Sequence, residues 1–212
     1  TEVPGFFAGP VDVDLINLAA ALDFDAMSAD INELYVGTAG GGIRLSGRLA
    51  EAERSPAVAV TGEIEPMPFD AFKAIWPFGL AKGAREWVEK NLSGGTLEGG
   101  SFNIDFPAGM IADIDARMPI PKENLRFEFT AKGQTMHYLG DLPPMENLVA
   151  RGLVEGNRFD AWVTSATIRQ RGQGDIAVSD GHFYVDEMTT KGAPGYIAFA
   201  VSGAMSDILS VL

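Results

Sequence analysis

The chain holds two histidines, His137 and His182, and no cysteine, so its chemistry rests on these imidazoles, its hydroxyls and 29 Asp and Glu residues. The lack of cysteine excludes a disulfide framework, thiolate zinc sites and a cysteine nucleophile. A metal or acid–base centre needs convergent partners, and neither histidine has a His, Cys or paired carboxylate at ligand spacing. His137 lies between Met136 and Tyr138 in a predicted strand, and both histidines read as structural or surface residues. Asp113 and Asp115 flank Ile114. On a strand such carboxylates would stand ~6–7 Å apart, near glycosidase separations. Asp12/Asp14 and Asp23/Asp25 repeat the spacing, which makes it the wet face of strands. No G-x-S-x-G elbow or G-x-x-x-x-G-K-[ST] loop occurs, and Gly40-Gly41-Gly42 and Gly94-Gly95 read as turns. Gly172-Gln173-Gly174-Asp175 has one acid where a calcium loop needs several. The expectation is a non-catalytic protein with no metal and no cofactor.

The elements that would position any site are mostly strands. Val11, Val13 and Leu15 alternate with Asp12 and Asp14, as do Phe102, Ile104 and Phe106 with Ser101, Asn103 and Asp105. Leu125, Phe127, Phe129 and Ala131 form a third apolar row, and Ile197, Phe199 and Val201 a fourth. Period-two patterning puts each row on one strand face. The accompanying polar rows predict antiparallel sheets covered on one side and wet on the other. The abundance of turn formers, 25 Gly and 12 Pro, suits many short strands. One stretch has helical spacing. Phe72 and Trp76 lead to Pro77, after which Leu80, Ala84, Trp87, Val88 and Leu92 predict a second short helix that stops at Gly94-Gly95. The expected packing face is Phe72, Trp76, Leu80, Trp87, Val88 and Leu92. The fold class expected is mainly β with minor α: a curved, mostly antiparallel, repeating, groove-like sheet carrying one or two short amphipathic helices.

The formal net charge is −13, which repels phosphate backbones and argues against a nucleic-acid partner. The same charge opposes adsorption to an anionic bilayer, leaving apolar surface as the route to lipid contact. No apolar run is long enough to span a bilayer.

An internal echo suggests a repeat. Phe24-Asp25-Ala26 recurs as Phe159-Asp160-Ala161, and Ile43-Arg44-Leu45-Ser46 as Ile176-Ala177-Val178-Ser179. Ala59-Val60-Thr61-Gly62 recurs as Ala200-Val201-Ser202-Gly203, and Asp70-Ala71-Phe72 loosely as Asp207-Ile208-Leu209. Order is kept over a period of roughly 135–140 residues. The ends, Thr1-Glu2-Val3-Pro4-Gly5 and an apolar helix opening at Asp207, read as cut edges. The organisation expected is one fragment of a larger repeating protein: a β segment over 1–66, a helical element over 67–93, a β segment over 94–158, and a β segment over 159–212 that starts a second repeat. The partners expected are adjacent repeats of the parent chain and, through unpaired edges, other copies of the fragment.

Ile75-Trp76-Pro77, then Trp87-Val88, Leu92, Gly95 and Leu97, resemble the helix-to-strand motif of the large AsmA-like envelope proteins of the YhdP type. There a Trp-Pro or similar pair precedes a helix with W-[ILV]-x-x-x-L and a Gly-led strand. Phe127–Phe129, Tyr138, Leu142-Pro143 and Gly152 are similar to that family's strand, Tyr, Pro-containing loop and Gly strand. The resemblance covers about residues 57–168. It implies a periplasmic location, a parent anchored in the inner membrane, and a long β-groove with an apolar interior. It also implies phospholipid movement towards the outer membrane and a part in outer-membrane barrier biogenesis.

The residues expected to line an acyl-chain groove, or to close into a core, are Phe102, Ile104, Phe106, Phe127, Phe129, Phe159, Phe183 and Phe199. The leading expectation is a segment of a periplasmic lipid-transport scaffold whose partner is phospholipid acyl chains. The alternative is a purely structural or protein-docking β-repeat module of the cell envelope with no lipid cargo.

Overall fold

The computed structural model describes residues 13–38, 40–76, 82–138, 140, 142–169 and 172–209. Val11, Pro77, Leu80 and the end of the chain from Ser210 lie outside the described residues. Ten long strands follow in order: β1 (Leu15–Asp23), β2 (Ser28–Thr38), β3 (Gly41–Ala50), β4 (Ala57–Ile64), β7 (Thr96–Phe106), β8 (Leu125–Met136), β9 (Met145–Glu155), β10 (Arg158–Ile168), β11 (Ile176–Val185) and β12 (Gly195–Ser202). Two short ones, β5 (Met67–Pro68) and β6 (Leu92–Ser93), pair with β7 and β8. Each long strand is antiparallel to the one before it, giving a single open sheet. Among the described residues, four short α-helices accompany it: α1 (Phe69–Ile75), α2 (Lys82–Asn91), α3 (Met110–Asp115) and α4 (Met205–Leu209). The molecule is mainly β, as the alternation predicts.

Register shifts interrupt most of the strand pairings, including Ala19/Ala20 in β1, Leu97/Gly99 in β7 and Lys132/Gln134 in β8. Positive φ angles at Gly99, Gly133 and Asp180 mark such points. An extra residue on one strand bends it and raises the local twist, which curves a sheet of this width.

The helices break at Trp76 as the spacing predicts, because Phe69, Phe72 and Ile75 form a short stripe. The Phe69 N–H donates to the Gly95 carbonyl, tying α1 to the turn that precedes β7. Gly94 and Gly95 both have positive φ there. Phe72 and Ile75 pack on Ile64, Met67 and Leu97. On α2 the packing differs from expectation. Trp87 is 44 % exposed, whereas Arg85 is buried. The less exposed residues are Arg85, Val88 and Leu92, so Val88 and Leu92 keep their expected place while Arg85 replaces Trp87. A long Arg stem covers apolar surface while its guanidinium reaches a partner, here Glu89 at i+4.

Two further expectations are corrected. Asp113 and Asp115 lie on helix α3 rather than on a strand, and Asp113 pairs with Arg54 across the end of the sheet. β1 starts at Leu15, and Val13 ahead of it packs against the cluster of Ile64, Met67, Ile75 and Leu97. Ile16, Leu18 and Leu22 pair with Val36, Leu34 and Ala29, so Leu15 points the other way.

The echoed tetrapeptides fall in β3 and β11 and at the ends of β4 and β12, with α1 and α4 following. A hairpin followed by a helix thus recurs. Phe24 and Phe159 do not correspond: Phe24 lies in the β1–β2 turn, 79 % exposed, while Phe159 is within β10.

Candidate functional site

Cross-strand pairing turns the separate apolar rows into bands that run the width of the sheet. One band passes from Leu18 through Leu34, Leu45, Gly62, Phe102, Phe127, Val154, Phe159 and Val185 to Gly195. The adjacent band runs from Ile16 through Ile64, Gly100, Phe129, Gly152, Ala161 and Phe183 to Ile197. Both lie on one face. Of the eight residues expected to line a groove or core, all are on this face. Phe106 is buried, Phe199 is 41 % exposed, and the other six are partly buried.

Among the described residues, two dry clusters line one side of the face, and Phe106 is buried at the other end of β7. Under α1, the cluster of Ile64, Met67, Ile75 and Leu97 is dry. A second cluster built on Met145, Leu148, Ile168, Ile176 and Val178 is closed by Tyr138, Met136 and Ile208 of α4. Beyond this rim, no second sheet covers the two bands among the described residues.

The floor between the rims is low because aromatic rings lie over glycines of neighbouring strands. A Cβ at Gly152 would fall 2.2 Å from the Phe129 ring, and one at Gly62 would fall 2.4 Å from the Phe102 ring. Phe183 crosses Gly195 in the same way, at 2.8 Å. The rings recline along the sheet and shield its backbone. Phe127 stacks on Phe129 at 5.1 Å, and Phe159 meets Phe183 edge-on at 6.1 Å.

The opposite face is polar. Cross-strand ion pairs link Arg44 to Glu33, Arg126 to Glu155, Arg151 to Glu128, and Arg169 to Glu146, and Arg126 also pairs with Glu128 along β8. Exposed pairs of this kind each contribute about 0–1 kcal/mol, so they serve solubility more than stability. His137 is exposed just after β8. His182 has a partner that sequence spacing concealed: its Nε2 lies 2.7 Å from Oδ1 of Asp160 across the β10–β11 hairpin. Its ring is stacked on Trp162 and tilted against Tyr184, each 5.3 Å away. Arg151 lies over Trp162 and Arg158 over Tyr184. These are ladder contacts across β9, β10 and β11. Among the described residues, no three His, Asp or Glu side chains converge as a metal set.

Asp160 is the buried acid of this ladder. Arg158 donates to it twice, from Nε at 2.6 Å and Nη2 at 2.8 Å. The Arg158 guanidinium, and after it His182, hold its carboxyl below the usual carboxylate range against the opposing effect of burial. A depressed carboxylate pKa stabilises the fold above the unfolded value and loses that contribution as pH falls through the folded one. Asp160→Asn is therefore expected to lower stability at pH 7 by about 1–3 kcal/mol. The gap from the unsubstituted protein should close as pH drops below about 4. Urea midpoints between pH 7 and pH 3 check this, and a gap independent of pH would refute it.

Comparison of the chain with protein-family models, with curated proteins and with solved structures finds no match.

Proposed function

We propose that the uncovered apolar face is a trough for phospholipid acyl chains and that the chain is a segment of a lipid-transport scaffold of the cell envelope. The observation that supports this reading is the pair of apolar bands that cross all ten long strands, with Ile64 sealed under α1 and no second sheet over the rest among the described residues. A contiguous apolar surface of this extent on a chain with net charge −13 marks a binding surface. Each methylene laid on the floor contributes roughly 0.8 kcal/mol, so affinity would grow with chain length. The ion-paired residues stand on the other face, so headgroups would be selected weakly. The resemblance to YhdP-type proteins supports the same cargo, with a periplasmic setting and an inner-membrane anchor on the parent protein.

Native purification followed by mass spectrometry should recover phospholipid. Phe127→Asp with Phe159→Asp should keep the far-UV spectrum and reduce bound lipid roughly tenfold or more, since two carboxylates then face the methylenes. No lipid in the unsubstituted protein would sink the reading. The dry clusters beneath α1 and α4 favour a second one, a structural or protein-docking module. Under that reading the same double substitution unfolds the protein.

A further inference from the structure

We propose that α3 and its flanking loop, residues 107–121, form a strap that opens and closes the Phe106 end of the trough, with Arg54 and Asp113 as its latch. The strap's motion stands on the fold alone, while its cargo rests on the trough reading above. Phe106 is the last residue of β7 and lies on the apolar face, paired with Val58 of β4. It is 8 % exposed, whereas Phe102 and Ile104 behind it are only partly buried. The trough face therefore closes where the chain turns off the sheet at Pro107.

From there the chain crosses to the loop between β3 and β4. The Gly109 N–H donates to the Ser55 carbonyl at 3.1 Å and the Ala112 N–H to the Ser55 hydroxyl at 3.3 Å. The Arg54 guanidinium donates to the Asp113 carboxylate. These bonds hold α3 beside the start of β4, the strand paired to the Phe106 end of β7. The return to β8 is pinned separately. Lys122 pairs with Glu155 of β9, and the Asn124 amide donates to the Asp105 carbonyl.

The strap differs from the helices of the opposite rim in what holds it. α1 buries Phe69 and Ile75, and Ile208 of α4 packs on a dry cluster. α3 buries none of its side chains, and its Met110, Ile111 and Ile114 are all partly exposed. The latch pair is open to solvent, with Arg54 65 % and Asp113 44 % exposed, and exposed ion pairs hold weakly. Segments with few buried apolar contacts and solvent-facing hydrogen bonds open locally, well below the free energy of global unfolding. Gly109 at φ +87° precedes α3 and Arg117 at φ +66° follows it. The left-handed arginine is strained and relaxes when the helix lets go, so the two residues serve as hinges. Opening exposes Phe106 and adds its ring to the floor, and closing shuts that end over a bound chain.

The chain has no cysteine, so a reversible lock can be built. Ser55→Cys with Ala112→Cys puts two thiols where the Ser55 hydroxyl now meets the Ala112 N–H, a reach that suits a disulfide. If that bond does not form, Arg54→Cys with Asp113→Cys bridged by a short bis-maleimide makes the same lock. By hydrogen exchange of the whole chain, the Asp113 and Ala116 amides should exchange roughly tenfold or more faster than those of β7 and β8. Arg54→Gln should speed them a further twofold to fivefold or so and leave the strands unchanged. Release of a pyrene-labelled phosphatidylethanolamine to phosphatidylethanolamine–phosphatidylglycerol vesicles should slow roughly tenfold or more in the locked protein. Reduction of the disulfide should restore it. Amides of α3 that exchange in step with β7 would overturn the proposal, and so would a locked protein that releases lipid at the unlocked rate. A protein that takes up no lipid overturns the trough and the strap's role in it together, and the exchange rates tell that case apart from a strap that never opens.

Discussion

Replacing Gly47 by alanine is expected to lower the stability of the fold by about 2–5 kcal/mol, combining backbone strain with overpacking. Gly47 lies in β3 opposite Val60 and Ile31, where the β2 register shifts. Its φ of +149° is one that side chains with a Cβ rarely adopt. An added Cβ would fall 2.0 Å from the Ala59 carbonyl oxygen and 2.7 Å from the Val60 Cα. Both are backbone atoms of a strand paired on its two sides, so neither can move without disturbing β4 and β7. With an m-value near the upper end of about 1–3 kcal/mol/M for urea, the midpoint should fall by about 1 M. Gly94→Ala is the control. It has φ of +66° but nothing within 4 Å of the added carbon, so only the left-handed penalty of roughly 1–2 kcal/mol applies. Equal losses at the two sites would show that the close approach of β3 and β4 plays no part.

Phe129 and Gly152 are expected to behave as a unit. Phe129→Ala removes a ring stacked on Phe127 and lying across β9. Losses for buried Phe→Ala run about 3–5 kcal/mol, and a partly buried ring should lose about 2–4 on the same basis. Gly152→Ala alone forces the ring off its seat, because the new carbon would stand 2.2 Å from Cζ. When both are alanine the ring is gone and the methyl group occupies its place. The double variant should therefore be more stable than the sum of single losses predicts, by about 1 kcal/mol or more. Denaturant curves of the four proteins measure this, and strict additivity would refute the ring-over-glycine arrangement. The pair also bears on the trough, since a Phe129 ring that stands up would raise its floor and narrow the space for a chain.

Local pattern made much of this molecule legible. Strict alternation at Phe102–Phe106 and Leu125–Ala131 predicts β7 and β8 and their inner faces, because a strand's side-chain period of two leaves one register that keeps the apolar row together. Helical spacing at Phe72–Trp76, the interruption at Trp76 and the glycines at 94 and 95 predict two short helices and a turn, since those signals act within a few residues. Where the run is apolar at both parities, as in Leu15–Leu22, period two cannot choose, and pairing with β2 decided which residues face inward. Likewise Asp113 and Asp115 show a spacing that suits a strand or a helical turn equally.

The joining of the apolar rows into bands across the sheet was invisible to spacing. Sequence alone identifies the phenylalanines but cannot separate a closed core from an open floor, because both need the same apolar rows. Only the strand order brings Phe102 over Gly62 and Phe129 over Gly152, contacts between residues distant along the chain. The same holds for Asp160 with His182, joined by the hairpin that makes them diagonal neighbours, and for Arg85, whose burial follows from how α2 sits on the sheet. The chain's alternation thus determined one apolar and one polar face for strands such as β7 and β8. Tertiary structure decided that ten strand faces join side by side, that helices seal one rim, and that no second sheet covers the rest among the described residues, because coverage depends on what packs above a strand and not on the strand's own period.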